Sequence, residues 1–393
     1  MKLSPSPQQN LGFLFFGILL VSFNLRPSIT AVGPLIPLIR EDLGLSNGWA
    51  GFLTTLPLLT FATFSLFAAG IGKRLGLARA IFVALFVLLL GSIWRVSGGK
   101  LSLFLGTGLT GIGIVICNVL LIPLIKKRLP GKLGLVTASY TTGMSLFAAI
   151  GSGISAPLAT DWSWGWRGSL LFWVGLLIVG LAVWFPQISF DNEKSPTTTT
   201  QSPRVNVWKS RLAWNVCLFM GVQSMLYFTI IAWLPDMLVA RGYSLGRAGL
   251  ILSLMQVVGL LGSFFAPMLA VRFRDQVGMV IGIGLMYLLG FSSLLSTTAF
   301  INYAGLTLAG LGLGASVSLA YTMIGLRTDS EQSTTALSGM VQSTGYYMAA
   351  LGPVLFGIAF DVFGDWNLLI GLMLACSVLY IYFGTKSGKS ELI

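Results

Sequence analysis

The sequence contains no histidine, and only 12 of its 393 residues are Asp or Glu. Without imidazole it lacks the side chain that shuttles protons near neutral pH and serves most often as a metal ligand. The acids are Glu41, Asp42, Asp161, Asp191, Glu193, Asp236, Asp275, Asp329, Glu331, Asp361, Asp365 and Glu391, and none lies in the middle of an apolar run. Neither a buried carboxylate pair nor a His-based dyad is available, which argues against an enzyme embedded in the membrane. Cys117, Cys217 and Cys376 fall singly inside apolar runs, a spacing that indicates neither a disulfide framework nor a zinc site. No metal or cofactor is expected.

Charge is scarce altogether. Charged residues make up 9% of the chain and hydrophobic ones 55%, with mean hydropathy +0.86, whereas a soluble protein carries about 25% charged residues. The expectation is an all-α integral membrane protein. A net charge of +12 would suit nucleic acid if clustered, but Lys and Arg fall in short loops between apolar runs, which is a topology signal. Twelve runs of spanning length occur, from 11–39 through to 366–384. The polar stretch 1–10 leads directly into the first with no small-residue cleavage site, so that run is expected to be a retained span. With both termini cytoplasmic, 17 Lys and Arg fall on the cytoplasmic side against 6 outside, Arg26 being left within the membrane. That bias predicts a multi-pass protein of the cell (inner) membrane with both ends in the cytoplasm.

Residues 187–210, with four consecutive Thr, read as a flexible cytoplasmic linker. They separate a six-helix bundle at 1–186 from another at 211–393. The halves repeat each other: adding 198 carries Pro37 to Pro235, Ala50-Gly51 to Ala248-Gly249 and Arg74 to Arg272 without a gap. With small shifts Gly111-Ile112-Gly113 matches Gly310-Leu311-Gly312, Arg128 matches Arg327, and Trp166 matches Trp366.

Two parallel six-span repeats, the loop Gly70-Ile71-Gly72-Lys73-Arg74-Leu75-Gly76, and Gly165-Trp166-Arg167 before the sixth run together resemble the major facilitator superfamily. The resemblance implies a solute site between the halves near the midplane, and a gating role for Lys73, Arg74, Gly76 and the repeat-related Arg272. Lys73 stands where the family usually has Asp, so the gating salt bridge assigned to that Asp is not implied. Asn24-Leu25-Arg26-Pro27, Ala31-Val32-Gly33-Pro34 and Leu53-Thr54-Thr55-Leu56-Pro57 are similar to the branch that contains cyanate permeases and the 2-nitroimidazole exporter. For that branch the similarity implies a small planar anion or a small polar heterocycle as solute.

Arg26 is fifteen residues from Leu11 and fourteen from Arg40, so at about 1.5 Å per residue it sits roughly 20 Å from either end of a helical span. A lone Arg at that depth costs at least about 2.5–3.5 kcal/mol by insertion scales, and one is kept chiefly where it meets a cavity, a partner or a ligand. Two readings are open. In one, its donors are absorbed by carbonyls freed by Pro27 or by Asn24. In the other it is the fixed positive charge of a central cavity, its planar fork matched to carboxylate-, cyanate- or nitrate-like anions. The lack of any mid-run acid favours the second.

Thr30 shares the Arg26 face by its spacing of four. Gln223 with Tyr227 in the seventh run, and Gln342 with Tyr346 in the eleventh, pair in the same way, while Asn118 and Tyr140 add neutral polar groups in the fourth and fifth. These residues form either a neutral wall around an anion or polar glue between helices. Trp49, Trp162, Trp164, Trp184 and Trp208 are expected at the interfaces. The functional expectation is a monomeric transporter of a small, anionic or planar polar solute by alternating access. Export of nitroimidazole-like or other small drugs is the alternative. Anion exchange, protonation of the solute and facilitated diffusion all remain open as driving modes.

Overall fold

The structure is a computed structural model that describes residues 11–45, 47–192, 206–243 and 245–393. Twelve helices among these residues are long and apolar enough to cross a membrane. In chain order they are Leu11–Leu35, Thr55–Leu75, Leu77–Trp94, Lys100–Arg128, Pro130–Thr160 and Gly165–Phe190, then Arg211–Val239, Ile251–Ala270, Val277–Leu295, Ala299–Leu326, Glu331–Phe360 and Trp366–Ser387. No strand occurs among the described residues. The all-helical expectation is met, and an even number of crossings leaves Leu11 and Ile393 on one face of the protein, called here the terminal face.

Lipid tails are as apolar as leucine, so helix association here rests on close packing rather than on removing side chains from water. Small residues supply it. Between the eighth and tenth spans a Cβ on Gly314 would lie 1.8 Å from the Gly259 carbonyl oxygen, a backbone approach that any larger residue would prevent. The same pairings recur in both halves: first with fifth, second with fourth, third with sixth, and correspondingly seventh with eleventh, eighth with tenth, ninth with twelfth. The halves meet where the second span packs on the eleventh and the fifth on the eighth, a pair of contacts that the repeat relates to each other. Two hydrophobic clusters fill the first half, the smaller one around Leu35, Leu103 and Trp173, and one fills the second, and Tyr346 from the eleventh span packs into the larger cluster of the opposite half.

Two expectations are corrected. The start of the expected linker is ordered, because Phe185–Asn192 forms 3₁₀ turns packed on the third span and Gln187 is buried. At its other end Ser210 caps the seventh-span helix by accepting from the Ala213 N–H at 3.2 Å. The central part of that linker, 193–205, lies outside the described residues, as do the basic residues Lys2, Lys194 and Arg204. Trp184 is fully buried and donates to the Ala78 carbonyl at 2.9 Å, so it ties the sixth span to the third instead of facing the interface. Trp49, Trp162, Trp164 and Trp208 are exposed. Arg95, in the turn after the third span on the face opposite the termini, has no accessible surface.

On the face opposite the termini, Asp42 accepts from Trp166 Nε1 at 3.0 Å and from Arg167 at 2.6 Å. The Gly165-Trp166-Arg167 motif thereby clamps the segment after the first span. The hydrogen bond from Trp166, then that from Arg167, holds the Asp42 carboxyl below the ordinary carboxylate range. A carboxylate depressed on folding contributes stability above its unfolded pKa of about 3.9 and loses it as pH falls through the lower folded value. Thermal unfolding measured from about pH 5 to about pH 2.5 is expected to show a steeper acid decline for the native chain than for Asp42→Asn. Identical declines would show that the clamp contributes nothing.

Candidate functional site

Proline dictates the local geometry of the first span. Pro27 has no N–H, so the helix Leu11–Leu25 ends and a short helical turn, Pro27–Thr30, begins with Arg26 as its N-cap. Pro34 then starts a further 3₁₀ turn, Gly33–Leu35. The carbonyls left over at this break are met from neighbouring spans. Arg95 Nη1 donates to the Ser28 carbonyl at 2.6 Å, and Ser152 Oγ donates to that of Thr30 at 3.3 Å. Thr30 itself donates to Ala148 O at 3.0 Å. The freed carbonyls are thus shared out without using the Arg26 side chain.

That guanidinium makes no hydrogen bond or ion pair with any described residue. The ion pairs Lys127–Glu331 and Arg167–Asp42 both lie away from it. The titratable groups acting on it are four tyrosines, Tyr346, Tyr227, Tyr321 and Tyr140 in decreasing order, and no carboxylate. It opens instead onto a cavity of about 330 Å³ between the two halves. Thr30 and Ser145 from the first half share the lining with Gln223, Tyr227, Gln256, Tyr321 and Tyr346 from the second. The Tyr321 and Tyr346 hydroxyls lie 3.1 Å apart; only one can donate to the other, so the second hydrogen is free for another acceptor.

The cavity runs from Arg26 and Tyr321 at mid-depth towards Gly33, Leu53 and Gly310, nearer the face opposite the termini. On the terminal face the halves are bolted together. Lys126 donates to Gly325 O at 2.6 Å, and to the carbonyl and hydroxyl of Thr328. Lys127 pairs with Glu331 at 2.8 Å, and Ser338 Oγ donates to Val119 O at 3.0 Å. Access to the site is therefore one-sided.

The residues singled out in the sequence separate into three groups. Arg26, Thr30, Gln223, Tyr227 and Tyr346 converge on the cavity. Tyr140 and Asn118 stand behind it: the Tyr140 hydroxyl donates to Asn118 Oδ1 at 3.0 Å, and its ring meets Tyr321 edge-on at 6.1 Å. Asn24 and Gln342 do not line it. Asn24 faces the sixth span, donating to Leu20 O at 2.8 Å and Leu176 O at 3.4 Å, since two residues along a helix point in different directions. Gln342 is fully buried on Ser338 Oγ at 3.0 Å. Lys73 and Arg74, at the end of the second span, and Arg272, after the eighth, are exposed, while Gly76 takes a left-handed φ of 89° to turn the chain into the third span. None of these four lines the cavity, and the charged contacts described between the halves on the terminal face come from Lys126 and Lys127. Gln256 was not anticipated, although it is the lone amide in an apolar run from Ile251 to Gly262.

A cavity between two six-helix bundles, its largely apolar wall carrying one cation and several neutral polar groups, is the architecture of a membrane transporter. The model of the Major Facilitator Superfamily matches residues 14–353, and the chain belongs to that superfamily. It is 36% identical to the 2-nitroimidazole transporter of Escherichia coli strain K12 over 381 residues, covering 96% of each chain. It is 26% identical to the cyanate transport protein CynX of the same strain over 366 residues, covering 91% of this chain and 94% of that one. Among solved structures, the transporter FucP in the outward conformation matches the fold with a TM-score of 0.71 at 16% identity, covering 95% of this chain and 98% of the other.

The seat of the Arg26 turn depends on Gly151 in the fifth span, where a Cβ would lie 2.8 Å from Thr30 Oγ1 and 3.0 Å from Pro27 Cα. Gly151→Val is expected to destabilise the protein by about 1–3 kcal/mol through overpacking. Gly153→Ala, where no atom lies within 4 Å, should leave thermal unfolding unchanged. Equal midpoints for the two variants would refute this account of the seat.

Proposed function

We propose that the protein carries a small anionic or planar polar solute across the membrane, with Arg26 as the central binding residue. The observation that carries the reading is the bare guanidinium of Arg26 at mid-depth, facing a cavity with no carboxylate to neutralise it. In a low-dielectric setting such a cation favours a ligand that brings its own negative charge. The planar fork of donors suits a delocalised anion, and Tyr321, Tyr346, Tyr227 and Gln223 supply neutral donors around it. Similarity to a cyanate transport protein supports this class of solute.

The halves 1–186 and 211–393 are the bodies that rock about the site, joined by 187–210. The contacts of Lys126 and Lys127 hold the terminal face shut in the state seen here. The bias of Lys and Arg supports a cytoplasmic terminal face in a cell (inner) membrane protein, and on this reading a single chain with its one cavity acts as a monomer. Export of a small nitro-heterocycle is the second reading, favoured by the greater similarity to a 2-nitroimidazole transporter. A nitro group is planar, carries partial charge on two oxygens and fits the same fork.

Transport assays in proteoliposomes, with cyanate and 2-nitroimidazole as competing solutes, test both readings. Arg26→Gln is expected to lower transport of the accepted solute about a hundred-fold, equivalent to about 2.7 kcal/mol. Its thermal unfolding should stay close to the native value. Undiminished transport by this variant would remove Arg26 from the site, and preference for the neutral heterocycle over the anion would decide for export.

A further inference from the structure

A proline inside a helix leaves the carbonyl four residues earlier without its N–H, and in a membrane that carbonyl needs another donor. Pro123 does this to Val119 in the fourth span, and Pro267 to Ser263 in the eighth. Both carbonyls are met from the opposite half. Ser338 Oγ of the eleventh span donates to Val119 O at 3.0 Å, and Thr141 Oγ1 of the fifth reaches Ser263 O at 3.3 Å. Thr141 and Ser338 stand 197 residues apart, within one residue of the repeat.

Each hydroxyl also accepts from a second group. Gln342 Nε2 donates to Ser338 Oγ at 3.0 Å, which leaves the Ser338 hydrogen for Val119. Ser318 Oγ of the tenth span donates to Thr141 Oγ1 at 3.0 Å, itself a bond between the halves. The Ser338 arrangement is the sharper of the two, because Thr141 also has the Thr137 and Ala138 carbonyls of its own helix at 2.9 and 3.2 Å. These groups lie between the cavity and the terminal face. Ser263 lines the cavity, whereas Val119, Ser338 and Gln342 have no accessible surface, so water does not reach the Val119 carbonyl while the halves are together.

We infer that Ser338 is the polar latch of the closed terminal face, that the Val119 carbonyl freed by Pro123 is its catch, and that Gln342 is the positioning residue that aims the hydroxyl. A carbonyl already bonded within its helix gains little from a partner across the seam. One freed by proline takes Ser338 with the halves together and water with them apart, so it is satisfied in both states and lost to neither. Thr141 with Ser263 is the corresponding latch at the other seam. The inference rests on the rocking of the two halves proposed above and is independent of the solute.

The test is the rate at which a water-soluble maleimide labels a Leu133→Cys reporter in the purified protein, with Cys117, Cys217 and Cys376 replaced by Ala. Leu133 is buried against Gly325 of the other half, so it is reached when the terminal face parts. Ser338→Ala is expected to raise the rate about ten-fold, as for the loss of one buried hydrogen bond. Pro123→Ala returns a helix N–H to Val119, so Ser338→Ala added to that variant should change the rate by less than about two-fold. On Gln342→Met the gain from Ser338→Ala should also shrink, and a full ten-fold gain there would take the positioning role from Gln342. A rate unchanged by Ser338→Ala, or raised equally with and without Pro123, overturns the latch. A reporter that never labels in the otherwise native chain removes the rocking of the halves, and the latch with it.

Discussion

A full positive charge at mid-depth in a membrane protein, left without a carboxylate, constrains most of what surrounds it. Arg26 is tolerated because Pro27 breaks the helix at that level and the broken segment faces a cavity instead of lipid. The break itself creates polar debts, and these are met by groups from two other spans: Arg95 from the third, and Ala148 and Ser152 from the fifth. Tyr227, Tyr321 and Tyr346 share the cavity with the charge, and none of them cancels it.

The two halves share a scaffold but not a chemistry. Adding 198 to Arg26 gives Ser224, which also lines the cavity, so a cation on one side of the pseudo-twofold meets a hydroxyl on the other. The first half contributes the charge; the second contributes Gln223, Tyr227, Gln256, Tyr321 and Tyr346. A repeat explains the packing, second span on eleventh and fifth on eighth, while the divergence between its copies explains the polarity of the site. Closure of the terminal face follows this asymmetry too, since its lysines come from the fourth span and its acceptors from the tenth and eleventh.

Much of this was legible in the chain, for reasons that are local. Hydropathy over about 20 residues reports a span directly, because each span must satisfy its own backbone in lipid. Depth along a helix is arithmetic, so Arg26 could be placed near the midplane before any packing was known. Spacing of four likewise put Thr30 with Arg26, and Tyr227 with Gln223. The same arithmetic failed where rotation about the helix axis mattered more than depth: Asn24 lies at a suitable level yet faces the sixth span, and Gln342 is buried against Ser338 of its own helix instead of lining the cavity. Trp184 was misplaced for a related reason. It sits at a span end, where the sequence shows an interfacial position, and it is covered by an adjacent helix that the local pattern cannot report.

The sequence by itself determined the class of protein, the twelve spans, the repeat and the depth of its one mid-span cation, all of which depend on composition and rise per residue. Which side chains meet across the halves was decided by tertiary structure alone. The helix faces that pair, the end at which the cavity is shut and the burial of Arg95 all depend on how helices from distant parts of the chain rotate and close on each other. Small residues permit that packing without encoding its partners, so the contacts exist only once the bundle has formed.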